Sequence, residues 1–203
     1  ETLSVFKGCE GVGMITVFDV ARFFIRKSPT RSIPAITLQK LCFYAYGWYA
    51  YETARPLFRE RFYAMKHGPV ISDLYSAHAK TIDVTEEPLA RAQERHGFSP
   101  AEFSLYEKEI LEAVWDYYSP HDRWELRDMT HEEQPWITAW NNRVEGSERA
   151  DLPSSDIIDH FIAKKVPEGL ELPERAVTVF EEEPVADFDH GSFVEDILAL
   201  CRA

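Results

Sequence analysis

The sequence has no apolar run that approaches the ~18 residues required for a membrane-spanning helix. Its first residues also lack the basic and then apolar pattern of a secretion signal. Cysteine is scarce: Cys9, Cys42 and Cys201 are odd in number and widely separated, without a metal-binding CxxC spacing. We therefore expect a cytoplasmic protein with free thiols and no membrane association.

Basic residues are outnumbered, which gives a net charge of −13. Residues 166–203 hold ten acidic and two basic residues and so contribute −8 of that charge. Because phosphate backbones are bound mainly by Lys and Arg, this balance argues against a nucleic-acid partner. A local basic patch is left open as an alternative: Arg22, Arg26, Lys27 and Arg31. The acidic surplus suits a basic protein partner, or it serves only solubility.

Recognisable enzymatic motifs are absent from the sequence. It contains no G-x-S-x-G, no Walker-type loop and no cysteine-centred nucleophile motif. His131 and Glu133 suggest a general base or a metal ligand, but a zincin helix needs two histidines four residues apart and HEEQP offers one. We favour a structural role for His131, with partner contact and a hydrolase site as the alternatives. No catalytic residue, metal or cofactor is predicted.

What the sequence does have is an unusually aromatic segment over residues 37–58, in which a helix is predicted from Thr37 to Tyr51. Six of the nine residues at 43–51 are aromatic, and apolar side chains occur on every side of a 3.6-residue period. Such a helix is typical of the centre of a core, and Gly47 inside it predicts a close backbone approach. Gln39 and Lys40 are the polar exceptions at its start, and they either satisfy buried backbone groups or reach a partner. Thr37 is the expected N-cap.

Further helices are predicted from capping boxes, in which a Ser, Thr or Asp precedes an acidic residue by three positions. These pairs are Thr16 with Asp19, Ser104 with Glu107, and Asp122 with Glu125. Short helices are also expected near residues 73–77, after Pro135 and after Ser154 or Ser155, whereas residues 80–104 predict an irregular segment with one helical turn. The expected fold is mainly α: one compact multi-helix domain with at most a short β-hairpin and an acidic C-terminal extension.

The predicted organisation has three parts. Residues 1–13 form an N-terminal extension, residues 14–165 the helical domain, and residues 166–203 the acidic extension. Within the last part, residues 175–180 read as a strand and a final helix presents an apolar face with Phe193, Ile197 and Leu200. An extension with its own apolar face should dock on the domain or on a partner.

Three blocks in residues 15–161 resemble the Panacea domain of SocA-like antitoxins. The first is the opening helix with LQKL, Tyr44 and GWY followed by PLF, and the second is AMKHGPV with Leu74 and Tyr75. The third is Leu126 with Thr130, His131, Glu133, Pro135 and Trp136. This sequence departs from the family pattern at Met65, where an aromatic residue is usual, and at His67, where tyrosine is common. The motif residues interpreted as structural are Leu38, Gln39, Lys40, Leu41, Tyr44, Gly47, Trp48, Thr130, Pro135 and Trp136.

The resemblance implies an antitoxin that neutralises a cognate protein toxin by direct contact. Such domains serve as a common scaffold for unrelated toxins, often beside phage-derived genes. The candidate partner-binding residues are Lys66, His67, Gly68, Pro69, His131, Phe193, Ile197 and Leu200. Alternatives are an adaptor that delivers the toxin to a protease and the hydrolase built on His131 and Glu133, and a homo-oligomer is compatible with the sequence.

Overall fold

A computed structural model of the chain describes residues 14–174. The predicted N-terminal extension, the strand-like segment at 175–180 and the final helix lie outside the described residues. Contacts divide the chain into two units, Glu1–Pro173 and Glu174–Ala203, and all the described helices and strands lie in the first unit. Val166, Leu170 and Leu172 pack against its core, so the segment that follows the last described helix covers part of the domain.

Helices dominate this part of the chain, as predicted. The eight helices within residues 14–174 are α1 (Val17–Lys27), α2 (Ala35–Thr53), α3 (Ser72–Ala77), α4 (Glu86–Arg95), α5 (Leu105–Tyr118), α6 (Arg123–His131), α7 (Gln134–Asn141) and α8 (Ser154–Ala163). The five short strands are β1 (Ile33–Pro34), β2 (Phe62–Met65), β3 (Gly68–Ile71), β4 (Asp83–Val84) and β5 (Arg149–Leu152). Within residues 14–174, no helix is both long enough and apolar enough to cross a membrane.

The strands form two small antiparallel sheets, with the orders β3-β2-β5 and β1-β4. The predicted hairpin is present as β2–β3, in which Met65 pairs with Gly68 and Phe62 with Ile71. Strand β5 adds a third strand on the other edge of β2. That strand and the β1–β4 pair have two to four residues each, too few for an alternating pattern to reveal them in the sequence.

Helix α2 lies at the centre of the domain and contacts α1, α5, α6, α8 and β3. Twelve of its 19 residues are buried, on all sides of the helix. Trp48 is fully buried and its indole Nε1 donates a 2.9 Å hydrogen bond to the hydroxyl of Tyr118. Tyr44 stacks on the same Tyr118 ring at 3.9 Å between centroids. The prediction of a central aromatic helix is confirmed.

The start of α2 differs from the prediction, because the helix begins two residues before Thr37. Pro34 is the N-cap residue and makes no side-chain cap hydrogen bond. The amide of Ala35 instead donates to the carbonyl of Ile82 at 2.8 Å. A long-range backbone contact therefore satisfies a donor at the helix start that a Thr hydroxyl was expected to satisfy.

Gly47 marks the predicted close approach, and the neighbour is helix α8. A Cβ atom placed on Gly47 would lie 2.4 Å from the Phe161 ring, well inside van der Waals contact. Phe161 is fully buried and its ring also meets Trp48 edge-on at 5.2 Å between centroids. The absence of a side chain at Gly47 thus allows α8 to pack its aromatic ring directly on the α2 backbone.

Several helix starts were predicted correctly from local sequence patterns. Capping boxes are present at all three predicted positions, Thr16, Ser104 and Asp122. The irregular segment predicted over residues 80–104 is wrong in part, since it contains the ten-residue helix α4. Only Leu89, Ala92 and Gln93 are buried along α4, and so narrow a stripe gives a weak periodic signal.

Candidate partner-binding site

The turn between β2 and β3 is exposed, and residues from all three motif blocks lie close to it. Lys66 and His67 form the two-residue turn and are exposed, and Gly68 follows with φ +96°. A left-handed residue after a two-residue turn is a common way to close a hairpin. A Cβ on Gly68 would lie 2.6 Å from both Lys40 Nζ and Thr130 Oγ1. Residues from all three blocks therefore meet beneath this turn.

Lys40 and Gln39 hold the hairpin to α2 from below. Lys40 Nζ donates to the Pro69 carbonyl at 2.9 Å, and the Gln39 amide oxygen accepts from the Ile71 amide at 2.8 Å. Both side chains are buried, with 1% and 3% exposure. Gln39 Nε2 also lies 3.1 Å from Nε2 of His78, the C-cap residue of α3. The two polar residues at the start of α2 thus contact backbone groups of β3.

Trp136 ties the third block to the same hairpin. Its indole Nε1 donates to the Met65 carbonyl at 3.0 Å, and its ring stacks on His131 at 4.0 Å between centroids and 5° between planes. Thr130 is fully buried and its hydroxyl donates to the Arg127 carbonyl at 2.8 Å. Burial, and then the charges of Lys40 and Arg127, lower the pKa of His131. This shift favours the neutral imidazole.

A half-open cleft of about 480 Å³ lies between the hairpin, α2, α3 and α7. Its walls are mainly apolar and come from four elements: Ile36, Met65, Val70, Tyr75 and Trp140. Gln39, Lys40 and His78 also line it, while Lys66 and His67 line it from the turn. Burial of the ammonium lowers the pKa of Lys40 from its ordinary 10.5 to about 7. Burial also lowers the pKa of His78.

Trp124 forms an exposed aromatic centre beside the turn, and the sequence analysis did not single it out. Its side chain is 42% exposed. The guanidinium carbons of Arg123 and Arg127 lie 5.0 and 5.1 Å from its ring centroid, and the His67 ring lies 6.3 Å away. Trp124 precedes Leu126 by two positions, which places it on the opposite side of α6 from that buried residue. The exposure of Trp124 could therefore have been predicted from its two-residue offset from Leu126.

We name this surface the turn patch: Lys66, His67, Arg123, Trp124 and Arg127. Its positive charge contrasts with the net charge of the chain, although Arg127 is also paired with Asp128. Tryptophan and arginine are enriched among the residues that dominate protein–protein binding energy. The patch is thus chemically suited to a protein interface with an acidic surface.

The alternative hydrolase pair is not assembled within the described residues. Glu133 is 3% exposed, and one of its oxygens accepts from His160 Nε2 at 2.7 Å and from Lys164 Nζ at 2.6 Å. Burial raises the pKa of Glu133, but these two partners outweigh it and the pKa is lowered. The His131 ring stacks on Trp136 instead. No group of three or more potential metal ligands occurs in residues 14–174.

Most of the basic residues considered for nucleic-acid binding are paired with carboxylates. Arg22 and Arg26 both face Glu86, at 3.6 and 2.7 Å, and Lys27 lies 3.0 Å from Glu112. These pairs neutralise much of the α1 charge. The predicted partner-binding residues Phe193, Ile197 and Leu200 lie outside the described residues.

Residues 38–137 match the family model described as antitoxin SocA-like, Panacea domain. The match confirms the resemblance carried by the three sequence blocks, and the chain therefore contains a SocA-like Panacea domain. It covers α2 through the first half of α7, including the hairpin and the turn patch. Neither the curated proteins nor the solved structures contain a match.

Proposed function

We propose that this protein is a non-enzymatic antitoxin that acts in the cytoplasm and neutralises a cognate toxin by direct protein contact. The observation that carries the proposal is the family match over residues 38–137. It is supported by the absence of a recognised enzymatic motif in the sequence and by the separate environments of His131 and Glu133.

We further propose that the turn patch forms part of the toxin contact. The patch combines the first turns of α6 with the turn of a hairpin that buried hydrogen bonds fix to α2, and loops on a rigid scaffold commonly carry recognition. Its exposed Trp124 can be covered without unfolding any element, since the buried face of α6 uses Leu126 and Thr130. The acidic residues 166–203 would meet a different, basic part of the toxin.

Rescue of growth tests the antitoxin function. The partner should be encoded beside this gene as a small protein whose expression arrests growth, and co-expression of this chain should restore growth. Purified proteins should then form a complex with a defined stoichiometry. A neighbouring gene whose product is harmless, or toxic but not bound or rescued, would contradict the proposal.

Substitution of Trp124 tests the contact surface separately. Trp124→Ala should weaken toxin binding by roughly 30-fold or more, because buried tryptophans at interface centres contribute about 2 kcal/mol or more. Phe98→Ala is the control, since Phe98 has a similar exposure of 40% but lies after α4. Equal affinities for both variants and the parent would exclude the turn patch while leaving the antitoxin function intact.

His131→Ala distinguishes binding from catalysis. A non-enzymatic antitoxin should lose protection only in proportion to lost stability or toxin affinity. A folded His131→Ala variant that binds the toxin normally but gives no protection would require a catalytic mechanism.

A further inference from the structure

The cleft beside the hairpin contains a buried cation without a counterion. Lys40 is 1% exposed, and among residues 14–174 its ammonium has one hydrogen-bond acceptor, the Pro69 carbonyl, and no carboxylate partner. An ammonium has three donors, so two are left for further acceptors. A buried charge is normally paired, because its removal from water is costly. An anionic ligand would supply the missing partner.

The rest of the cleft provides an apolar environment around this cation. Ile36, Val70, Tyr75 and Trp140 contribute aliphatic and aromatic walls. Its volume of about 480 Å³ lies within the usual range for small-molecule sites, which is roughly 300–1,000 Å³. Apolar walls with a few convergent polar groups are the general composition of such sites.

The charges limit the ligand to an anion of low charge. Lys40 is the one fully buried cation in the lining, while Lys66 and His67 lie at the exposed turn. Glu148, also in the lining, is exposed and would repel a polyanion. A single carboxylate matches one ammonium through a charge-assisted hydrogen bond, and an apolar body would fill the remaining space.

We propose that this cleft is a binding site for a monocarboxylate with an aromatic or aliphatic body, whose carboxylate pairs with the Lys40 ammonium. The ligand is either a free organic acid or the C-terminal residue of a polypeptide, since both present the same chemistry. This site adjoins the turn patch, with which it shares Lys66 and His67, and does not depend on the antitoxin function.

Calorimetric titration of the full chain with a matched pair of probes tests the proposal. N-acetyl-L-phenylalanine carries the carboxylate, and N-acetyl-L-phenylalaninamide has the same body without the charge. At pH 6.0, below the Lys40 pKa of about 7, the acid should bind about 10- to 100-fold more tightly than the amide. Equal affinities, or no binding of either probe at millimolar concentration, would overturn the proposal.

Three variants test whether the tighter binding of the acid arises in the cleft. Lys40→Met should abolish the preference for the acid, whereas Lys66→Met, which removes an exposed cation from the same lining, should retain most of it. Ile36→Trp should weaken both probes by filling the apolar space while leaving Lys40 in place. If Lys40→Met does not fold, the acid–amide comparison on the parent and on Ile36→Trp still decides. Affinities for both probes that are unchanged in Ile36→Trp would place binding elsewhere and refute the site.

A peptide arm separates the two sources of the carboxylate. N-acetyl-Gly-Gly-Gly-Phe with a free C-terminus is compared with N-acetyl-L-phenylalanine. Binding of the peptide with similar or higher affinity assigns the cleft to a polypeptide C-terminus, and exclusion of the peptide assigns it to a free acid. If neither the tetrapeptide nor N-acetyl-L-phenylalanine binds, the proposed carboxylate site is refuted.

Discussion

At the residue scale, Lys40 determines the chemistry beneath the hairpin. Lys40 belongs to the first motif block, and its buried side chain contacts Gly68 and the Pro69 carbonyl of the second block. The sequence marked Lys40 as a polar exception in an apolar helix. It could not reveal that no carboxylate of residues 14–174 lies beside the ammonium, because that depends on which elements meet at the start of α2.

Lys40 should make stability rise with pH in the neutral to alkaline range. Its pKa is about 7 in the folded protein against an ordinary 10.5, so the unfolded chain binds more protons between these values. Folding is therefore favoured as pH rises through this window, and the contribution is lost as pH falls towards 7. Between pH 7 and 8.5, Lys40 should add about 1.5–2 kcal/mol to the unfolding free energy.

Urea unfolding of the parent and of Lys40→Met at both pH values measures this effect. The variant should lack the Lys40 contribution, so the difference between the two proteins should change by that amount. Burial raises the pKa of the Cys42 thiol, so ionisation of this thiol in the unfolded chain above about pH 8 opposes the effect, but it does so in both proteins and cancels in their difference. A pH-independent difference between parent and variant would show that Lys40 is not desolvated in the folded state.

At the scale of elements, local sequence patterns predicted where helices begin better than they predicted which elements those helices pack against. The three capping boxes fixed the starts of α1, α5 and α6, because each depends on two side chains three positions apart. Only one turn of helix α4 was predicted, and the helix makes hydrogen bonds to a distant element. Gln93 donates to Asp19 at 2.7 Å and accepts from Arg22 at 3.1 Å, both on α1. No local pattern encodes a contact across 70 residues.

Gly47→Ala should destabilise the protein although alanine is the better helix former. Alanine at an interior helix position gains roughly 1 kcal/mol over glycine. Here its Cβ would lie 2.4 Å from the Phe161 ring, and overpacking of this kind typically costs about 1–3 kcal/mol, which outweighs that gain by up to about 2 kcal/mol. Denaturant unfolding should therefore give a net loss for the single variant.

A double-mutant cycle with Phe161→Leu identifies the cause. The smaller side chain should relieve the clash, so Gly47→Ala should cost less in the Phe161→Leu background than in the parent. Additive losses would mean that the α2–α8 contact does not set the requirement for glycine.

At the scale of the whole molecule, one helix organises the fold. The all-round apolar pattern of α2 predicted its central position, and its contacts with four helices and β3 explain why no face of it could be polar. The position of the cleft and the turn patch could not be predicted. Both arise where α2, α6, α7 and the hairpin meet, and single-sequence periodicity carries no information about such junctions.

Removal of residues 174–203 should weaken toxin recognition without unfolding the domain. The cut leaves Val166, Leu170 and Leu172 in place on the core and removes eight acidic and two basic residues, a charge of −6. That charge should attract a basic surface of the toxin, and the predicted apolar face Phe193, Ile197 and Leu200 should supply short-range contacts. We expect a retained melting temperature, weaker toxin binding and a reduced dependence of the association rate on salt, because charges are screened over about 8 Å at physiological ionic strength.

Two full-length variants separate the two contributions of the extension. Replacement of Glu181, Glu182 and Glu183 by glutamine removes charge alone and should slow association at low salt. Replacement of Phe193, Ile197 and Leu200 by serine removes the apolar face alone and should accelerate dissociation, since short-range contacts act mainly after encounter. A collapsed melting temperature on truncation would instead assign the extension a structural role, in which its apolar face covers the domain itself. A stable truncated protein that neutralises the toxin as well as the full chain would remove the extension from recognition altogether.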